Sequence, residues 1–172
     1  MMKKTNLFVI ALLTILATFA NPFEGKAASC PDYTVHSGGN TFLDASYDNG
    51  SAKWVLEPDS GPDQGTYLIE YGAHGDMIHY YKFSIGGCSS YAGWWGVYAY
   101  LNNYDFTNTK ATYYWDFGST RRNIGTLNQK TAPGGWNKIS TQLINTSSPI
   151  FGVSSNGPSG TNTGSDGMKL VD

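Results

Sequence analysis

Aromatic side chains at strand-like spacing are where this chain could do chemistry. Trp94, Tyr98 and Tyr100 share one parity in Trp-Trp-Gly-Val-Tyr-Ala-Tyr-Leu (94–101), and Tyr114 sits among rings in Ala-Thr-Tyr-Tyr-Trp-Asp-Phe (111–117). The C–H faces of sugars stack on such rings, which present apolar area with a negative face, while sugar hydroxyls need polar partners beside it. Asn103 and Asp105, with Asn102 and Asn108, could supply those partners from the loop between the two segments. Trp136 follows Gly134-Gly135 on a turn that can present a further ring to solvent. The expected ligand-binding set is therefore Trp94, Tyr98, Tyr100, Asn103, Asp105, Tyr114 and Trp136. The competing reading buries both ring-bearing faces and makes Trp136 a cap on one end of the fold.

Other chemistries find weaker footing. There is no Gly-x-Ser-x-Gly elbow for a nucleophilic serine. His74 and His79 would point to opposite faces of a strand, and with His36 they complete no four-ligand zinc set. Asp48, Asn49 and Asp166 lie near turns and could serve a structural calcium, or simply bond turn amides. Glu57, Glu70, Asp105 and Asp116 leave a two-carboxylate hydrolase open as an alternative. A Cys88–His79 nucleophilic couple is conceivable only if Cys88 is not in a disulfide. Arg121-Arg122 reads as a solvated hairpin tip, or as a fork for an acidic sugar.

The elements that must position these residues are short strands. Lys3-Lys4 followed by the apolar run Leu7 to Ala17 reads as a secretory signal peptide, with cleavage after Ala27 or after Ala20. That run is too short for a convincing membrane span. The pattern looks bacterial, so the Asn49 and Asn145 glycosylation motifs carry little weight. Removal of residues 1–27 takes Lys plus Arg from 11 to 8 and Asp plus Glu from 13 to 12, a net charge of about −4. Such a balance argues against nucleic acid and anionic membranes as main partners. In an exported chain Cys30 and Cys88 pair as one disulfide, closing a loop of roughly 60 residues and contributing about 3–4 kcal/mol; lipidation of Cys30 or two free thiols are the alternatives.

With 5 Trp, 12 Tyr, 8 Phe, 21 Gly and only 14% charged residues, residues 28–172 read as one all-β extracellular domain. Period-two runs predict strands near 41–47, 53–57, 66–71, 77–85, 94–101, 111–117, 123–129, 136–144, 150–154 and 167–171. In the first of the two ring-rich strands Trp95, Val97, Ala99 and Leu101 form the core face; in the second, Tyr113 and Trp115 do. Residues 28–40 read as an extended lead-in and 155–165 as loop. In 136–144, simple alternation puts Ile139, Thr141 and Leu143 on one side. Many short strands at this spacing imply an antiparallel β-sandwich, a jelly roll.

Several segments together resemble a known family. Trp95-Gly96-Val97-Tyr98-Ala99-Tyr100, Ala111-Thr112-Tyr113, Asn128-Gln129, Gly134-Gly135-Trp136, Asp166-Gly167-Met168-Lys169-Leu170 and the upstream Asp48-Asn49-Gly50 are similar to the motifs of golvesin or xanthan-lyase carbohydrate-binding-like domains. The resemblance spans about 125 residues. The chain departs from it in Trp95 for the usual Tyr, a Gly for Ala beside the closing Asp166, and the cysteine pair. It implies a jelly-roll, galactose-binding-like fold and a non-catalytic role at a polysaccharide or similar polymer. The expectation is a secreted, monomeric binding module with no cofactor. A small hydrolase and a protein-interaction or inhibitor module are the alternatives.

Overall fold

The computed structural model describes residues 32–36, 41–43, 54–58, 66–72, 78–83, 92–102 and 105–172. Among them lie twelve strands: β1 (Tyr33–His36), β2 (Thr41–Leu43), β3 (Val55–Pro58), β4 (Thr66–Glu70), β5 (Ile78–Lys82), β6 (Gly93–Leu101), β7 (Ala111–Asp116), β8 (Arg121–Leu127), β9 (Gly135–Ile144), β10 (Ile150–Ser154), β11 (Thr163–Ser165) and β12 (Gly167–Val171). All pairings are antiparallel, in sheets ordered β1-β12-β6-β9, β2-β5-β10-β7-β8 and β11-β4-β3. Among the described residues no helix is long and apolar enough to cross a membrane. The signal peptide, Cys30, Cys88, Asp48, Asn49, His74 and Asn103 lie outside the described residues.

The four- and five-stranded sheets pack face to face because each contributes one apolar row. Val97, Ala99, Met168 and Leu170 from one sheet meet Tyr113, Trp115, Phe151 and Val153 from the other, with Trp95 among them, all at most 2% exposed. Burying each large apolar side chain of this set stabilises by about 1.5–3 kcal/mol. Alternation predicted this core row. It did not predict the pairing. The two ring-rich strands β6 and β7 are not partners: β6 lies between β12 and β9, and β7 between β10 and β8. The loop between them carries the chain from one sheet to the other, so their inner residues face each other across the core. Their outer residues point to opposite sides of the molecule.

Two bulges close the sandwich along one edge. The register slips between Val97 and Tyr98 opposite β9, and between Tyr113 and Tyr114 opposite β8. The extra residue on β9 is Ile139, which turns inward and packs on the core, while Thr141 and Leu143 are exposed. This corrects the expectation that all three share a face, since a bulge reverses the parity beyond it. Gly125 on β8 meets Ile139: a Cβ there would stand 2.9 Å from Ile139 Cγ2 and 3.0 Å from its carbonyl oxygen. Asn123 Oδ1 accepts the Gly125 N–H at 2.9 Å and fixes that bulge.

The third sheet covers one end. Tyr67 and Ile69 of β4 join Leu101, Phe106 and Ala132 in a second apolar cluster. β11, expected as loop because Thr-Gly-Ser has no apolar alternation, is a buried strand held by side chains. Gln129, wholly buried, donates from Nε2 to the Gly164 carbonyl and accepts the Gly164 N–H on Oε1, both at 2.9 Å. Its second amino hydrogen goes to the Tyr113 hydroxyl at 3.0 Å. Asn108 Nδ2 donates to Thr163 Oγ1 at 2.7 Å, and Ser165 Oγ hydrogen-bonds both His79 Nδ1 and the Tyr81 hydroxyl.

His79 is 0% exposed, and burial pushes its pKa down to about 3, so it is neutral in the folded protein. The unfolded chain takes up a proton near pH 6.5 that the folded chain refuses until about pH 3. This contribution to stability is complete above pH 6.5 and is lost as pH falls through that window. Urea unfolding at pH 7 and pH 5 should show wild type losing about 1–2 kcal/mol more than His79→Phe; equal losses in the two proteins would disprove the assignment.

Candidate ligand-binding site

The outer face of the β1-β12-β6-β9 sheet carries most of the expected rings. Cross-strand register sets Tyr100 beside Trp136 on one flank and Gly167 on the other, with His36 beyond Gly167. One row down, Tyr98 stands between Lys138 and Lys169. The Tyr100 and Trp136 rings meet edge to face, centroids 5.1 Å apart at 69°, and His36 lies 6.2 Å from Trp136. Trp136 therefore lies on the sheet face rather than across an end of the sandwich.

Two glycines allow close approach on this face. A Cβ on Gly96 would stand 2.8 Å from Cε2 of Tyr98, and one on Gly167 would stand 3.2 Å from His36 Nδ1 and from the Val35 carbonyl oxygen. Tyr98, Tyr100 and Trp136 are half-buried. Trp94, 63% exposed, is paired with Leu143, 54% exposed, toward the other end of the same face. From Trp94 to Tyr100 the strand advances roughly 20 Å. The aromatic strip is longer than any single sugar ring.

Cations are interleaved with these rings. Lys169 Nζ stands 4.7 Å from the Trp136 centroid and 5.3 Å from that of Tyr98, and Lys138 Nζ stands 6.0 Å from Tyr98. The ring quadrupole attracts the ammonium and holds it over the face, where it can donate to a ligand oxygen. Neither lysine was expected from the sequence, although the signal was present. Lys138 follows Trp136 by two residues, and Lys169 alternates with the core residues Met168 and Leu170.

Two other expected residues sit elsewhere. Tyr114, on β7, is on the outer face of the five-stranded sheet and cannot share a platform with Trp94, Tyr98 and Tyr100. The reason is the sheet switch between β6 and β7. Asp105 Oδ2 accepts the Tyr67 hydroxyl at 2.9 Å, tying its loop to β4. Burial first, then this carboxylate, pushes the Tyr67 phenol well above its usual range. Asn103 lies outside the described residues.

Glu57 and Asp105 both act on the Tyr67 and Tyr71 phenols; the other carboxylates are dispersed. Glu57 Oε1 accepts the Tyr71 hydroxyl at 3.1 Å near the Tyr67–Asp105 pair, Glu70 is buried on β4, and Asp116 Oδ1 accepts the Gly118 N–H at 2.6 Å in the β7–β8 turn. Asp166 is buried between β11 and β12. Among the described residues no three His, Cys, Asp or Glu side chains group as metal ligands. The arginines are exposed yet laid on rings. Arg121 lies 5.6 Å from Tyr80, while Arg122 lies 5.0 Å from Trp115 and 5.4 Å from Phe117 and donates to Gln142 Oε1 at 2.7 Å. The β7–β8 end is thus a solvent-exposed hairpin tip whose guanidinium groups also rest near rings. Phe117, 47% exposed and stacked 4.5 Å from Trp115, is an exposed ring that the sequence reading left out of the binding set.

No family model matches the chain, and no curated protein sequence matches it. Among solved structures it is similar to the CBM35 from Cellvibrio japonicus Abf62, a carbohydrate-binding module. The TM-score is 0.51 at 10% identity, over 83% of this chain and 94% of that one. At that identity the likeness is one of fold, a β-sandwich.

Lys169→Ala removes a cation from two ring faces. Stability should fall by about 0.5–1 kcal/mol, and acrylamide quenching of tryptophan fluorescence should rise as Trp136 is uncovered. Unchanged quenching would show that Lys169 does not cover that ring in solution.

Proposed function

We propose that this chain is a secreted, monomeric, non-catalytic module of jelly-roll, galactose-binding-like type that binds an extracellular polysaccharide or similar polymer along the outer face of the β1-β12-β6-β9 sheet. The observation that carries the reading is the strip of Trp94, Tyr98, Tyr100 and Trp136 on one solvent-facing side, interleaved with Lys138 and Lys169. Rings offer stacking area to sugar C–H faces, and the ammonium groups donate to sugar oxygens. An elongated strip suits a polymer better than a single small solute. The CBM35 likeness supports the ligand class. The resemblance to golvesin and xanthan-lyase carbohydrate-binding-like domains supports attachment to a polymer, and Trp95–Tyr100, Gly134–Trp136 and Asp166–Leu170 from its motifs all contribute to this sheet.

Affinity electrophoresis through gels containing β-glucan, xanthan or soluble chitin derivatives tests the reading. The wild-type protein should be retarded on at least one polymer. Trp136→Ala and Tyr100→Ala should each weaken retention about tenfold, the loss of about 1.4 kcal/mol of stacking. Equal retention of both variants and wild type would move the site off this face. Reducing-sugar release from any of these polymers would favour the hydrolase alternative.

Export is open to a separate check. The mature protein should begin near Ala28, and intact-mass analysis should show it 2 Da lighter without reductant, for the Cys30–Cys88 bond. Two free thiols, or a lipid adduct on Cys30, would refute this part.

A further inference from the structure

The five-stranded sheet has a cleft of its own, and Tyr114 lines it. A cavity of about 410 Å³ opens between the outer face of β7–β8 and the 156–158 segment, bordered by Lys110, Thr112, Tyr114, Asn123, Thr126 and Asn156. That volume lies within the range of small-ligand sites. The lining carries one ring and no carboxylate.

Five of the hydrogen-bonding groups around it are unspent. Among the described residues, the Thr112 and Thr126 hydroxyls, the Asn156 side-chain carboxamide, the Asn123 amino group and the Lys110 ammonium make no hydrogen bond within the protein; Asn123 commits only its oxygen, to the Gly125 N–H. Hydroxyls and carboxamides that both donate and accept suit the vicinal hydroxyls of a sugar, with the phenol as a stacking wall.

The far wall is built rather than pliable. Asn108, fully buried, accepts the Lys110 N–H at 2.8 Å and donates to Thr163 Oγ1 at 2.7 Å and to the Asn156 carbonyl at 3.5 Å. Gly157 lies so close that a Cβ there would stand 2.5 Å from the Asn108 amide. A preformed wall spares a ligand the entropy of ordering it.

We infer that this cleft is a second carbohydrate site, so that one molecule holds two polymer segments on opposite sides of the sandwich. The inference rests on the polysaccharide reading above for its class of ligand. The core separates the two faces by the thickness of two packed sheets, about 10 Å from sheet to sheet. The sites therefore bind separate segments and the protein acts as a crosslinker.

The test pairs retention with crosslinking, using soluble β-glucan and xanthan as probes. Wild type should be retarded in the gel and should raise the light scattering of the dissolved polymer, with a maximum at intermediate protein-to-polymer ratio. Tyr114→Ala, and Thr126→Trp as a variant that plugs the cleft from an exposed strand position, should stay within about threefold of wild-type retention. Both should lose at least nine-tenths of the scattering increase. Wild-type retention without scattering at any ratio, or scattering preserved in both variants, overturns the second site. Retention lost in Tyr114→Ala but kept in Trp136→Ala overturns the sheet-face reading and leaves the cleft standing. No retention on either probe with no scattering counts against both.

Discussion

A three-residue strand held by buried amides and hydroxyls is the constraint on which this sandwich depends. β11 has too few residues and too little apolar surface to place itself. Its position comes from Asn108 on Thr163, Gln129 on both backbone groups of Gly164, and His79 with Tyr81 on Ser165. In a low-dielectric interior each of these hydrogen bonds is strong, and each partner left alone would be costly. The network reaches into every sheet: Tyr113 and Tyr81 belong to the five-stranded one, Glu70 pairs opposite Thr163 in the three-stranded one, and β12 follows two residues after Ser165. β12, an inner strand of the proposed binding face, is therefore separated by one residue from a segment held by buried polar contacts.

The aromatic surplus is distributed by the same geometry. Had β6 and β7 formed a hairpin, all their outer rings would have shared one surface. Because they lie in opposing sheets, Trp95, Tyr113 and Trp115 fill the interior, Tyr98 and Tyr100 join Trp136 on one exterior, and Tyr114 is left on the other. Glycines complete the arrangement. Gly96 admits the Tyr98 ring, Gly167 admits His36 beside it, and Gly157 admits the loop that walls the Tyr114 cleft. A protein with few charges thus shows solvent two different ring-bearing surfaces, one open and cationic, one recessed and mostly neutral.

Much of the architecture was legible in the residue order. The 150–154 and 167–171 strands match β10 and β12 to the residue, and the inward row of β6 follows directly from period-two alternation. Failures came where the local pattern carries no information about partners. Thr163-Gly164-Ser165 looks like loop until buried amides hold it. The β9 bulge at Ile139 inverted the faces of Thr141 and Leu143. Lys138 and Lys169 were unremarkable until cross-strand register set them beside Tyr98.

By itself, the order of residues determined that this chain is all-β, that Trp95, Val97, Ala99, Tyr113 and Trp115 are core, and that rings remain for the outside. Side-chain alternation along a strand is a local property of the backbone, so it survives without knowledge of the fold. Which outer rings share a surface was decided by tertiary structure alone. Strand partnership and sheet assignment depend on contacts between residues far apart in the chain, and no local spacing encodes them.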